Sequence, residues 1–202
     1  MKSALKYLSI PLMMLFCLTA YLSTSIVLPQ PAQAASKKDR AVVFMKAVAK
    51  ELMAAVRSGD KRNLELVINK YADLKAIGNY SLGDYEKNLP RRKRPKYYRG
   101  VAKFMARYFM DESKKYKVRS AKVSSPSFKE YGESIVDSVV RLEDGSQYEV
   151  QWRLTKKNRR FKIRDIRILG LWMVPYQRNL FNDFVVKRGG NVNDLVIALN
   201  HN

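Results

Sequence analysis

The chain has 202 residues, with 39 Lys and Arg against 18 Asp and Glu, one Cys and one His. This is the length of one ordinary domain, or a domain with an appendage, and at 47% hydrophobic and 11% aromatic residues it is too apolar for a disordered chain. A single Cys excludes an internal disulfide, a single His argues against a His-based zinc centre or relay, and no glycine-rich phosphate loop is present. The net charge of +21 implies an anionic partner: nucleic acid, anionic lipid or an acidic protein face.

The first residues choose among these. Lys2 and Lys6 form a positive start, Tyr7 to Leu28 carries no charge, and Pro29, Pro31 and Ala32-Gln33-Ala34 follow. This order predicts a cleavable secretory signal over residues 1–34 and a single domain over residues 35–202. An uncleaved anchor is the alternative, because the uncharged stretch is long enough to span a bilayer. Cys17 reads as filler of the signal core, since bulky Phe16 stands where lipoprotein processing needs a small residue. Loss of Lys2 and Lys6 takes the net charge from +21 to +19 and removes the only cysteine with the signal, which suits an oxidising compartment. The expected location is the periplasm. A protein exported there is not expected to meet nucleic acid, so an anionic membrane surface becomes the favoured partner.

From Ala41 onward Phe44, Val48, Leu52, Ala55 and Val56 recur at helical spacing until Ser58-Gly59. Asp60 can cap a second helix with Leu64, Val67, Ile68 and Tyr71 on one face. A short helical segment from Asp73 ends at Leu82-Gly83. Leu89-Pro90 then opens a long helix with a Tyr97, Val101, Phe104 and Tyr108 stripe, running to about Tyr116 and kinked at Pro95. After Val118 the period changes to two. Strands are expected over 121–125, 135–142, 148–154 and 161–168, with hairpin signals at Glu143-Asp144-Gly145-Ser146 and at the basic turn 156–160. Helices over 175–187 and 193–200 close the chain around Gly189-Gly190. The expected class is α+β: an antiparallel sheet of about four strands, covered by about six helices.

Little in the chain promises catalysis. His201 lies one residue from the C-terminus, and no Ser or Thr sits in an elbow motif. Asp137 and Asp165 occupy mid-strand positions where Asp is disfavoured. Each reads as a solvent-facing or Arg-paired side chain, or alternatively as a pocket acid of a cone-shaped enzyme. The densest charge is Arg91, Arg92, Lys93 and Arg94, followed by Pro95 and Lys96. It is a solvated first turn of the long helix or a contact for anionic lipid, an acidic partner or nucleic acid, and it opposes the helix dipole there. The aromatic residues Phe104, Tyr108, Trp152 and Trp172 fill a core or line an apolar cavity.

The second half carries an ordered set of motifs: Gly145-x-x-Tyr148-x-Val150-x-Trp152-Arg153-Leu154, Phe161-Lys162-Ile163-x-Asp165-Ile166, Leu169-Gly170-Leu171 and Gln177-Arg178-x-x-Phe181. With Ala72-Asp73, Ile77, Leu82-Gly83, Leu89-Pro90 and Gly189-Gly190 before and after it, this set resembles the MlaC family, also called the toluene-tolerance family. These are periplasmic phospholipid-binding auxiliary proteins of a lipid-transport ABC system. The chain departs from the family pattern at Phe161, where Trp is usual, and at the bulky Leu171-Trp172-Met173.

The resemblance implies a cone-like sheet wrapped by helices, with the acyl chains of a phospholipid in a deep apolar pocket. A polycyclic hopanoid is the variant ligand. It also implies a shuttle between an inner-membrane ABC transporter complex and an outer-membrane lipoprotein complex, with no cofactor and no metal. The pocket is expected from Val136 and Val140, from Tyr148, Val150, Trp152 and Leu154, with Phe104 and Tyr108 as the helix wall and Leu171 and Trp172 as the rim. Arg91, Arg92, Lys93 and Arg94 are expected to form a basic mouth toward anionic membrane. The alternatives are an envelope scaffold with a filled core and an enzyme using Asp137 or Asp165.

Overall fold

A computed structural model describes residues 39–201; the expected signal at residues 1–34 lies outside the described residues. Helix α1 (Arg40–Ser58) starts at Asp39, whose Oδ1 accepts from the backbone N–H groups of Ala41 and Val42. The other oxygen of Asp39 accepts from both the N–H and the hydroxyl of Ser127, tying the start of the helix to the sheet. Gly59 ends α1 in the left-handed conformation, which glycine adopts without strain. Asp60 then caps α2 (Lys61–Tyr71). Asp73 caps α3 (Leu74–Leu82), and its N–H donates to the Ile163 carbonyl, so the Ala72-Asp73 pair is stitched to the sheet.

The long helix begins later than its sequence suggests. Residues Arg91–Lys93 form a separate 3-10 turn, and α4 runs from Arg94 to Lys115. Pro95 therefore falls in the first helical turn, where its missing N–H has no partner to lose, and it introduces no kink. Helices α5 (Met173–Val186) and α6 (Val192–Asn200) follow the sheet. Gln177 of α5 donates to the buried Ser81 hydroxyl, and Asn182 donates to the Ser81 carbonyl, so the Gln177 motif fastens α5 to α3. At Gly100 the backbones of α4 and α6 approach closely: a methyl there would lie 2.6 Å from Asn200 Nδ2 and 2.8 Å from Leu199 Cβ. Gly100→Ala should push α6 outward and cost about 1–3 kcal/mol, visible as a lowered thermal midpoint.

The sheet is antiparallel and holds β1 (Val118–Val123), β2 (Phe128–Glu130), β3 (Glu133–Leu142), β4 (Gln147–Lys157), β5 (Arg160–Ile168) and β6 (Leu171–Trp172). Its order is β1-β3-β4-β5-β6, with β2 pairing β3 beside β1. The two strands beyond the expected four are three and two residues long, too short for an alternating pattern to register. The class is α+β, as the alternating and helical periods imply.

Three hydrophobic clusters share the interior. The first is helical, built from α2, α3, α4, α5 and α6 with Ala55 of α1, around Leu64, Ile77, Tyr97, Val101, Phe181 and Leu195. The second joins α1 to the sheet through Met45, Val48, Val136 and Leu154. The third belongs to the sheet, around Val140, Leu142, Val150 and Ile166. Helix α1 lies along β1 and β3, and α5 touches β5 and β6, whereas α4 packs mainly on α2, α6 and α3. The longest helix thus meets the sheet only narrowly.

Candidate functional site

Strand alternation decides which side chains can meet. On β4, Val150, Trp152 and Leu154 share the inner face, and Arg153 points to the other. Val150 and Leu154 are 2% and 1% exposed and Val136 is fully buried. Val136, Leu154 and Trp152 meet in the α1 cluster; Val140, Val150, Tyr148 and Trp152 meet in the sheet cluster. Trp152 bridges the two, and its indole N–H donates to the Ser138 hydroxyl at 2.9 Å. These six expected residues are brought together across the two clusters, Val136, Val150 and Leu154 deeply buried and Tyr148 and Trp152 partly exposed.

The remaining expected residues are placed elsewhere. Phe104 faces α5, its ring 5.1 Å from Phe181. Tyr108 stacks on Phe104 and is 6.5 Å from Tyr176 at the surface. Trp172 lies under the Arg153 guanidinium, 4.0 Å from the ring, and so belongs to the outer face of the sheet. Arg153 also pairs with Glu130 and Glu133 there. Leu171 is exposed at the end of the sheet.

The residue that reaches from α4 to the sheet is Phe109, which the apolar stripe through Phe104 and Tyr108 passes over. Phe109 packs against both the helical and the sheet clusters, and it is only partly buried. Trp152, Tyr148, Ile168 and Met173 around the same sheet cluster are also partly buried. A seam of large, incompletely covered apolar side chains therefore runs between α4 and the inner face of β4 and β5. The hint in the sequence was that α4 carries Phe104, Met105, Phe109 and Met110 on more than one face.

Tyrosines gather at one end of this seam. Tyr108 and Tyr176 are in ring contact, and Tyr116 lies within electrostatic range of both Tyr108 and Tyr148. Burial raises the phenol pKa of Tyr108 and of Tyr148, so both remain neutral hydroxyls at physiological pH.

The basic run is not at that end. It precedes α4, while Tyr108 and Tyr116 stand at and beyond its last turns, and a 22-residue helix is about 33 Å long. Lys93 donates to Asn193 at 2.6 Å, and an Arg94 Nη lies 3.8 Å from Glu86. Only Arg91 and Arg92 of the four are exposed. Of the four residues expected at a basic mouth, Lys93 and Arg94 thus hold α6 and the segment before the run, Arg91 and Arg92 are exposed, and all four lie at the end of α4 away from Tyr108 and Tyr116.

Two open clefts near Gly83 hold about 390 and 510 Å³; Asp84 and Glu86 line both, with Arg94 in the first and Arg164 and Arg178 in the second, so they are polar. Asp137 accepts from the Gln151 amide at 3.0 Å. Asp165 is buried, and its Oδ1 accepts from the N–H groups of Ile166 and Val174, which makes it the cap of α5 from a neighbouring strand. Desolvation raises its pKa despite these bonds and the nearby Arg153 charge. Each mid-strand Asp thus has a structural partner. Among the described residues no group of His, Cys, Asp and Glu could hold a metal ion, and no helix is long and apolar enough to cross a membrane.

The MlaC protein family profile matches residues 39–201, which is the whole described domain. The chain belongs to the MlaC family. Among solved structures, the phospholipid-binding protein from Ralstonia solanacearum, determined in complex with a phospholipid, shares this fold at a TM-score of 0.64. The two are 23% identical, and the match covers 80% of this chain and 94% of that one. No curated protein matches the chain. MlaC membership accounts for the motif set through Gln177 and Phe181, which here fasten α5 to α3 and α4.

Proposed function

We propose that this MlaC-family protein is a periplasmic phospholipid carrier that moves lipid between an inner-membrane ABC transporter complex and an outer-membrane lipoprotein complex. The observation that carries the reading is the seam between α4 and the sheet, in a fold whose Ralstonia solanacearum counterpart holds a phospholipid. A carrier needs an apolar surface for the chains, because each methylene left in water costs about 0.8 kcal/mol. Phe109, Trp152, Ile168 and Met173 supply such a surface, and their partial exposure leaves it reachable. The phosphate stays at the rim, since burying it without partners is prohibitive. The tyrosine hydroxyls at the end of the seam are suitable donors for it. The uncharged stretch before residue 35 supports export to the periplasm.

Protein purified from cells should carry phospholipid, seen by denaturing mass spectrometry of the extract, and should take lipid up from vesicles. An empty protein that also fails to take up lipid would overturn the reading. The closely packed Val136, Val150 and Leu154 favour a second reading, an envelope scaffold with a filled core, and that same result would establish it.

A further inference from the structure

The β5–β6 connection places a bulky aliphatic residue in the left-handed backbone region. Ile168 pairs with Leu171, which leaves Leu169 and Gly170 as a two-residue hairpin loop with φ values of 50° and 83°. This is the type I′ turn, in which both positions need a left-handed backbone. Gly170 meets that need, but a bulky aliphatic side chain at Leu169 does not. No interior contact offsets the strain, because Leu169 is 75% exposed and Leu171 62%. A residue that is strained and apolar and faces water points to something outside the fold.

Its position says what. Ile168 lies opposite Val150 in the β4–β5 ladder, and Tyr148 is two residues further along β4. The leucine turn therefore stands at the same end of the sheet as Tyr148, where the seam and its tyrosines end. Arg167 reaches back to the turn, its Nε donating to the Gly170 carbonyl at 3.1 Å, and Trp172 follows directly. Aliphatic residues at a tip, with Tyr, Trp and Arg set behind them, match the layers of a bilayer surface: acyl chains beneath, head groups above. The chain's large positive charge complements an anionic leaflet. A specific protein interface takes roughly 800 Å² from each partner, far more than two leucines on a hairpin present.

We propose that the Leu169-Gly170-Leu171 hairpin dips into an anionic bilayer and sets the tyrosine-lined end of the seam against the membrane. The proposal rests on the carrier reading for its purpose, but its test is separate. The substitution Leu169→Asn creates Asn-Gly, the dipeptide that type I′ turns favour, so the thermal midpoint should hold or rise. Binding to vesicles of phosphatidylglycerol mixed with phosphatidylcholine, read by flotation, should fall by roughly tenfold, as expected for withdrawing one leucine from the acyl region. Tyr131→Asn makes the same change at the Tyr131-Gly132 turn, at the opposite end of the sheet, where Tyr131 is 96% exposed. That variant should float like the unaltered protein.

Co-purified lipid is measured on every variant. Vesicle binding that depends on Leu169 in a protein that carries no lipid keeps the hairpin proposal and ends the carrier reading. A lipid-loaded protein that floats equally well with Leu or Asn at position 169 overturns the hairpin proposal. So does a defect of Leu169→Asn seen only when a protein acceptor is present, because the turn would then be docking on protein.

Discussion

Val150→Glu should leave the protein without lipid. Val150 is 2% exposed on the inner face of β4, among Val140, Leu142 and Ile166. A carboxylate there either ionises beside acyl chains with no partner or draws water into the seam, and each outcome removes the apolar surface that the chains need. Co-purified phospholipid should fall about tenfold or more, equivalent to losing at least about 1.4 kcal/mol of binding. The same substitution loosens the sheet cluster, so two further variants separate binding from folding. Ile168→Glu changes a half-buried residue opposite Val150, and should empty the protein with less damage to its thermal midpoint. Val150→Thr keeps the shape, lowers stability modestly and should retain the lipid. If Ile168→Glu folds and remains fully loaded, the seam is not where the chains lie.

The second large effect concerns Asp165. Asp165→Ala removes the acceptor for the Val174 and Ile166 N–H groups at a helix start with no cap of its own, and should cost about 2 kcal/mol in urea unfolding. Asp165→Asn can still accept through its amide oxygen and should cost much less. The two also differ in pH dependence. Burial raises the Asp165 carboxyl above its ordinary value of 3.8, so the folded protein binds this proton more tightly than the unfolded chain. The carboxyl's contribution to stability is thus greatest below that ordinary value and declines as pH rises through the folded-state value. Asp165→Asn has no such titration. The stability difference between it and the unaltered protein should shift in favour of Asn as pH rises across that window, and a pH-independent difference would show that the carboxyl is not held this way.

Asp165 also shows where sequence reasoning stops. A mid-strand Asp signals that something needs explaining, but the partner is the start of α5, which only the β5–β6 hairpin brings alongside. Local features were fully legible: Gly59 and Asp60 separate α1 from α2, and Asp144 accepts from the Ser146 N–H inside the expected hairpin. The inner face of β4 followed from alternation alone. The two tryptophans were not separable in this way. Alternation sorts residues within one strand, whereas Trp152 on β4 and Trp172 on β6 are separated by β5 and the turns on either side of it, and they end on opposite faces of the sheet. Phe109 was missed for a related reason: a helix that is apolar around much of its circumference does not announce which side meets the sheet. The Arg91–Lys93 turn was read as helix because Pro95 suits a first helical turn as well as a kink, and charge density does not reveal where the helix begins.

The narrow meeting of α4 with the sheet has a mechanical consequence. The helical cluster and the α1 and sheet clusters each hold their own buried side chains, and Phe109 is the α4 side chain that spans the helical and sheet clusters. Leu52 and Tyr71 join the helical cluster to the α1 cluster, and Asp73 and Asp165 tie the starts of α3 and α5 to β5, so those edges are pinned and the gap can widen only where α4 faces β4. On the carrier reading, the size of a bound lipid is then limited less by a fixed mould than by how far α4 moves from β4. Amide exchange would register that motion as early opening along the facing edges of α4 and β4, while Tyr97 and Val136, deep in their respective layers, stay protected until global unfolding.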